Sequence, residues 1–180
     1  MNVLQVNQQI RLEPIRYAHA FQVFQAIDHN RNFLATWLPF VQETGSQEDT
    51  EAFIRSVLAD QENREAVFVI WYGDQFAGLI GMKDTDLQNL RTEIGYWLIE
   101  KMTGRGIMKR SAETLIGYIF LSLGLNRIQI RCGVGNHKSA AVARRLGFRF
   151  EGVERAGEKH RNGFIDLEVY SLLRKEWEER

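Results

Sequence analysis

Between Glu93 and Glu113 an apolar extended run passes straight into a helix, with two glycines at the join. Ile94-Gly95-Tyr96-Trp97-Leu98-Ile99 has the composition of a strand, Lys101-Met102-Thr103-Gly104-Arg105-Gly106 is a short loop, and helical spacing begins at once. Glycines at such a join let the backbone pass close to another group. They also leave N–H groups aimed at one point, beside the positive end of a helix dipole. That arrangement suits a phosphate. An ordinary strand-to-helix turn has the same composition, so the glycine pair alone leaves both readings open. A dinucleotide fingerprint is disfavoured, because the third glycine is missing and no acidic residue follows a second strand at the right distance. A P-loop is excluded, because no Gly-Lys-Ser/Thr follows.

The remaining pattern predicts helices inserted into a mixed, largely antiparallel sheet. Strands are expected over Gln9–Ile15, Ala66–Tyr72, Phe76–Met82, Thr92–Ile99, Arg127–Arg131, Phe148–Val153 and Phe164–Leu173, with a turn at Gly73-Asp74 and a polar loop over Asp84–Leu90. Helices are expected over Tyr17–Ile27, after Ser46, over Arg105–Ser122 and over Ser139–Leu146, the last stopped by Gly147. Their apolar faces read as Phe21, Phe24 and Ile27; Phe53, Val57 and Leu58; and Ile107, Leu115, Ile116, Ile119 and Phe120. The 180 residues suit a single domain spanning 1–180, and no repeat, low-complexity segment or linker divides them.

Composition narrows the function classes. Hydrophobic residues make up 44% and charged residues 26%, as in an ordinary globular chain. No apolar run nears the roughly 18 residues that span a bilayer, and Met1 to Gln9 lacks the features of a signal peptide. Cys132 is the only cysteine, so no internal disulfide forms, which fits a reducing cytoplasm. The 23 basic and 23 acidic side chains cancel, so stable nucleic-acid binding is not expected. Four histidines lack metal-ligand spacing, and no metal is expected.

A second pattern follows the first. Asn136-His137-Lys138-Ser139 opens a helix, and Leu146-Gly147-Phe148 and Glu151-Gly152 come after it. Asn and Ser at a helix start are commonplace caps. The two patterns in this order, with Glu93-Ile94-Gly95-Tyr96-Trp97-Leu98, Gly163-Phe164-Ile165-Asp166 and Tyr170-Ser171-Leu172-Leu173, resemble the GCN5-related N-acetyltransferases (GNAT) over nearly the whole chain. Arg11-Leu12-Glu13-Pro14 and Trp37-Leu38-Pro39 are similar to the RimJ/RimL branch, which acetylates ribosomal proteins.

The resemblance implies an α/β GNAT (acyl-CoA N-acyltransferase) fold, whose mostly antiparallel sheet splays open at its central strands. It implies transfer of acetyl from acetyl-coenzyme A (acetyl-CoA) to a primary amine. The acceptor would be a protein N-terminal α-amine of ribosomal type; a small amine, or a non-catalytic module that binds coenzyme A, is the alternative. The pyrophosphate would rest on amides of Met102, Thr103, Gly104, Arg105, Gly106 and Ile107. The pantetheine arm would pair like an added strand with Trp97, Leu98 and Ile99, and Asn136 would hold its amide. Lys101 departs from the Gln or Arg usual at the head of this loop. Glu158 matches the carboxylate implicated as base and Ser139 the hydroxyl near the thiolate, while Glu93 is a second carboxylate candidate, or a cross-strand pair. Tyr170 is a thiolate donor in some relatives. Phe33 to Phe40 would wall the acceptor groove, and an edge strand could pair two copies of the chain.

Overall fold

The computed structural model describes residues 2–60 and 65–180. Eight strands form one sheet in the order β1 (Leu4–Gln5), β2 (Ile10–Pro14), β3 (Ala66–Tyr72), β4 (Gln75–Asp86), β5 (Arg91–Leu98), β6 (Arg127–Gly133), β8 (Gly163–Leu173), β7 (Arg149–His160). Every pairing is antiparallel except β5 with β6. The expected mixed sheet is present.

The parallel pair is short. Arg91, Thr92 and Glu93 lie opposite Arg127, Ile128 and Gln129, and there the ladder stops. β5 continues against β4 as far as Leu98, and β6 continues against β8 as far as Gly133. From Ile94 onward the two strands therefore part. Five residues at about 3.3 Å each leave an open edge of about 16 Å on β5. An unpaired strand edge carries backbone donors and acceptors that need a partner.

Helices cover both faces. α1 (Ala20–His29) and α4 (Gln47–Ala59) lie on one side, and α2 (Arg31–Leu34) and α3 (Phe40–Glu43) form the corner between them. α5 (Ile107–Gly117) packs against β2, β4 and β5 on the other side, and its continuation sets Tyr118 edge-on to Phe68. α6 (His137–Arg145) packs on β6 and β7, and α7 (Arg174–Glu178) follows β8. Ser46 starts α4 as expected, because Asp49 accepts from the Ser46 N–H at 2.9 Å in a capping box worth about 1 kcal/mol.

Several expectations need correction. Phe21, Phe53 and Leu58 are exposed (59%, 41% and 48%), while Ala20, Val23 and Ile27 of α1 and Thr50, Ile54 and Val57 of α4 are buried. Phe21 and Phe53 sit one residue out of phase, about 100° around the helix axis from the true inward face. The long helix is regular only to Gly117 and then widens into a π turn over Tyr118–Ser122. Ile107, Leu115, Ile116, Ile119 and Phe120 are all buried, as the spacing implied. β4 reaches Asp86, taking part of the expected loop, and β7 reaches His160 rather than Val153.

A side-chain clasp ties the last three strands. Glu151 on β7 takes both Arg127 guanidinium nitrogens of β6 (2.8 and 2.5 Å) and the Ser171 hydroxyl of β8 (2.7 Å). These bonds, led by Arg127, hold the Glu151 carboxyl down at about 2. A group depressed in the folded state adds stability above its unfolded pKa and loses it as pH falls through the folded one. The side chain is 38% exposed, so the contribution is small. Glu151→Gln is expected to cost about 0.5–1 kcal/mol at pH 7, and the gap from wild type should shrink as pH falls from 4.5 toward 2. Urea unfolding of both proteins across that range checks it; a gap independent of pH would refute it.

Candidate active site

The glycine loop has the conformation its sequence asks for. Gly104 and Gly106 have φ of 76° and 69°, a region that L side chains avoid. Gly106 is the N-cap of α5 and brings no side chain to cap it. The first bond into that turn is from Arg110 N–H to Gly106 O (3.2 Å), so the helix itself does not use the amides of Ile107, Met108 and Lys109. A Cβ added at Gly104 would meet nothing within 4 Å. Arg110 folds back to donate to Arg105 O at 2.9 Å, which brings a guanidinium beside Gly106.

Three expected contacts are narrowed by this geometry. The amides of Met102 and Thr103 already donate to Ile99 O and Glu100 O, each at 3.0 Å. The Ile99 N–H donates to Ala77 O at 2.9 Å, and its carbonyl takes the Met102 amide. A short 3-10 turn over Glu100–Met102 consumes the Met102 and Thr103 amides, and β4 takes that of Ile99. The uncommitted cradle therefore starts at Gly104, and the open edge of β5 ends at Leu98.

Asn136, Ser139 and Glu158 converge on a cavity of about 140 Å³ between the parted strands, with Cys132, Glu93 and Arg131 beside them. Asn136 is the N-cap of α6, its carboxamide oxygen accepting the Ser139 amide at 3.2 Å. The cap reading is thus correct, and the NH₂ end of the same side chain remains a donor. Ser139 Oγ lies 3.1 Å from Tyr96 Oη, so a hydroxyl pair links α6 to β5. Burial raises the Tyr96 phenol well above its ordinary value, which keeps it protonated. Burial also pushes the Cys132 thiol up to about 11, so at neutral pH it is a thiol and a poor nucleophile.

The two carboxylate candidates separate. Glu93 is 7% exposed and spent: its oxygens pair with Lys83 Nζ at 3.1 Å and Arg131 Nε at 2.5 Å. Arg131 also reaches Glu154 at 3.3 Å, so the cluster ties β4, β5, β6 and β7 at the fork. This is the cross-strand pair that sequence left open, since Lys83 lies opposite Glu93. Glu158 is carried by a bulge. Residues 155–157 of β7 loop out between the Glu154–Leu167 and Glu158–Ile165 pairs, with Ala156 at φ 51° and its N–H held by Asp166 (2.7 Å). Such a bulge re-aims the strand. Glu158 accordingly borders the cavity, its carboxylate 2.8 Å from His160 Nε2. Tyr170 is buried and donates to Glu168 at 2.5 Å, outside the residues that line either cavity.

A second cavity of about 590 Å³ opens on the α1/α4 face of the sheet. Leu79 and Trp97 floor it, and Val23, Ile27, Phe40 and Phe53 wall it. Among the described residues four carboxylates line it (Glu43, Asp49, Glu65 and Glu158) against one ammonium, that of Lys83. The two cavities meet at Leu38, Lys83, Gly95, Tyr96 and Glu158. Trp37 closes the slot from the α2–α3 corner, its ring 3.0 Å from where a Gly133 side chain would begin. Sequence pointed to a Phe33–Phe40 wall, of which Trp37, Leu38, Pro39 and Phe40 line the cavities while Phe33 and Leu34 do not; it missed His160 and the Tyr96–Ser139 pair, which depend on contacts across the fold. Among the described residues no cluster of His, Cys, Asp and Glu is placed to hold a metal.

The profile of the Acetyltransferase (GNAT) domain family matches residues 9–149. The chain belongs to this family. It is 37% identical to the YdaF protein of Bacillus subtilis (strain 168) over 183 residues, which cover 99% of this chain and 98% of that one. It is 30% identical to the Ribosomal-protein-serine acetyltransferase of Escherichia coli (strain K12), over 94% of this chain and 96% of that one. The solved RimL ribosomal L7/L12 alpha-N-protein acetyltransferase in complex with coenzyme A superposes with a TM-score of 0.91, at 27% identity, over 95% of this chain and 97% of that one. The GNAT fold, an acetyl-CoA-dependent N-acetyltransferase activity and acetyl-CoA as acyl donor follow for this chain. No helix among the described residues is long and apolar enough to cross a membrane.

Proposed function

We propose that this GNAT enzyme acetylates the N-terminal α-amine of a protein, of ribosomal type, in the cytoplasm. The observation that carries the reading is the position of Glu158, on the wall shared by the strand slot and the larger cavity. One side of that wall suits a thioester and the other an amine. Two relatives, 37% and 30% identical over nearly full length, support the acceptor class, since the second is a ribosomal-protein-serine acetyltransferase.

Acetyl-CoA, when bound, supplies the electrophilic thioester. The backbone from Gly104 to Met108 holds its pyrophosphate at the helix start. The open edge at Trp97 and Leu98 pairs with the amide-bearing arm, and Asn136 donates to it. Glu158 takes a proton from the acceptor ammonium, and His160 orients the carboxylate. An α-amine (pKa about 7.7–8) yields that proton more readily than a lysine amine (about 10.4). The Ser139 hydroxyl, backed by Tyr96, donates toward the departing sulfur. Glu93 with Lys83 and Arg131 holds the fork in shape and takes no proton.

The four carboxylates that line the larger cavity favour one second reading, a small polycation such as a polyamine. The outer edge of β7, with Phe150 and Val153 exposed, is the surface through which two copies would pair. Thiol release from acetyl-CoA, measured against a peptide library with free N-termini and against polyamines, tests the acceptor. Peptides with free α-amines should be at least tenfold better in kcat/KM than polyamines or N-blocked, lysine-containing peptides. Faster turnover of polyamines would overturn the protein acceptor.

A further inference from the structure

The larger cavity owes its depth to two glycines. Gly81 of β4 and Gly95 of β5 are direct cross-strand partners, so both would project their side chains from the same face of the sheet. The flanking pairs on that face are Leu79 with Trp97 and Lys83 with Glu93. An apolar pair thus stands on one side of the gap and a charged pair on the other, with no side chains between. Both glycines line the larger cavity, and Gly95 also lines the slot.

The two glycines are needed for different reasons. A Cβ on Gly81 would lie 2.5 Å from Ala66 O, so this residue is fixed by close approach of β3. A Cβ on Gly95 would meet only Lys83 Cε, at 3.8 Å, an ordinary contact. The fold does not require glycine at 95. A glycine in a strand interior weakens the strand and here no neighbouring backbone demands it. What its missing side chain provides is room in the cavity floor.

Resting on the α-amine reading above, we propose that the Gly81–Gly95 gap is a side-chain pocket that selects acceptors with a large apolar second residue. The amine-bearing end belongs beside Glu158 and Lys83, which line both cavities. Two strand steps separate Lys83 from Gly81, about 7 Å. That offset suits the second residue of an extended N-terminus rather than the first. Leu79 and Trp97 supply the apolar wall that such a side chain needs, and Gly95 is the specificity-determining residue.

The test compares two hexapeptides that differ only in Leu or Gly at the second position, together with ethylamine and hexylamine, in wild type, Gly95→Ala and Gly95→Val. Each comparison uses the ratio of kcat/KM values, so effects on donor binding cancel. Wild type should favour Leu by about 10- to 100-fold, the discrimination that an apolar pocket gives. Gly95→Ala should reduce the ratio, and Gly95→Val should bring it within about threefold of unity, because a branched side chain fills the gap. The amine pair should follow the same order. Turnover of peptides without discrimination in wild type, or a ratio unmoved by Gly95→Val, would overturn the pocket and leave the α-amine reading standing. Preference for hexylamine that is lost in Gly95→Val, with no turnover of either peptide, would keep the pocket as an alkyl site, overturn its assignment to a second residue, and remove the protein acceptor.

Discussion

Replacing Glu158 by Gln is expected to lower kcat by about 10²- to 10⁴-fold, the usual worth of a positioned general base. That is about 3–5 kcal/mol of barrier. Gln keeps the size of the side chain and can still bond His160, so the wall between the cavities should survive. What goes is the ability to accept a proton from the ammonium. Coenzyme A affinity, read by isothermal titration, should change less than threefold, because donor binding rests on the glycine loop and on main-chain groups of Trp97 and Leu98, which a change of the Glu158 side chain leaves in place. The two readouts separate chemistry from structure. Turnover within threefold of wild type would remove Glu158 as base. The same substitution at Glu93 gives a contrast. Glu93 is the buried member that holds the exposed Lys83 and the partly buried Arg131 at the fork, so its loss loosens the tie between β4, β5 and β6 and acts on stability first.

That contrast marks where sequence stops being sufficient. The strand–glycine–helix join was legible because each part has a local cause: extended apolar residues, glycines at positive φ, then helical spacing. The ends of the sheet splay were not, since they depend on which strands stay paired. Ile99, Met102 and Thr103 show the limit. Their sequence positions suit donor contacts, yet β4 takes the Ile99 N–H and a 3-10 turn uses the amides of Met102 and Thr103. Glu158 was reached by likeness to the family, and its aim comes from a bulge whose middle residue, Ala156, has a left-handed backbone that its identity does not announce. Glu43, Asp49, Glu65 and Glu158 look scattered along the chain and line one cavity. The Gly81–Gly95 gap is likewise a matter of register, which composition cannot give. The error at Phe21 and Phe53 is of another kind. Aromatic size drew the inward face toward them, whereas Ala20, Val23 and Ile27, and Thr50, Ile54 and Val57, carry the burial.

Gly104→Val should raise the dissociation constant for coenzyme A by about 100-fold, a loss of about 2.7 kcal/mol in binding. Two effects combine, and they can be told apart. Gly104 has φ of 76°, and a β-branched residue in that region costs about 1–2 kcal/mol. This strain lowers the stability of the free protein, or moves the loop out of the left-handed region. The second effect needs the ligand. The space beyond Gly104 is open, with no atom within 4 Å of an added Cβ. In the free protein a valine side chain would hang there unopposed, and in the complex it would meet the pyrophosphate. Gly104→Ala carries a similar backbone cost with a smaller side chain, so it separates strain from bulk. Thermal unfolding without ligand should fall by a few degrees in both variants, while titration with coenzyme A should show the larger loss in Gly104→Val. Dephosphorylated pantetheine, which lacks the pyrophosphate, should bind wild type and both variants alike, because it does not reach the loop. Wild-type affinity for coenzyme A in Gly104→Val would mean that the amides at the start of α5 hold no phosphate.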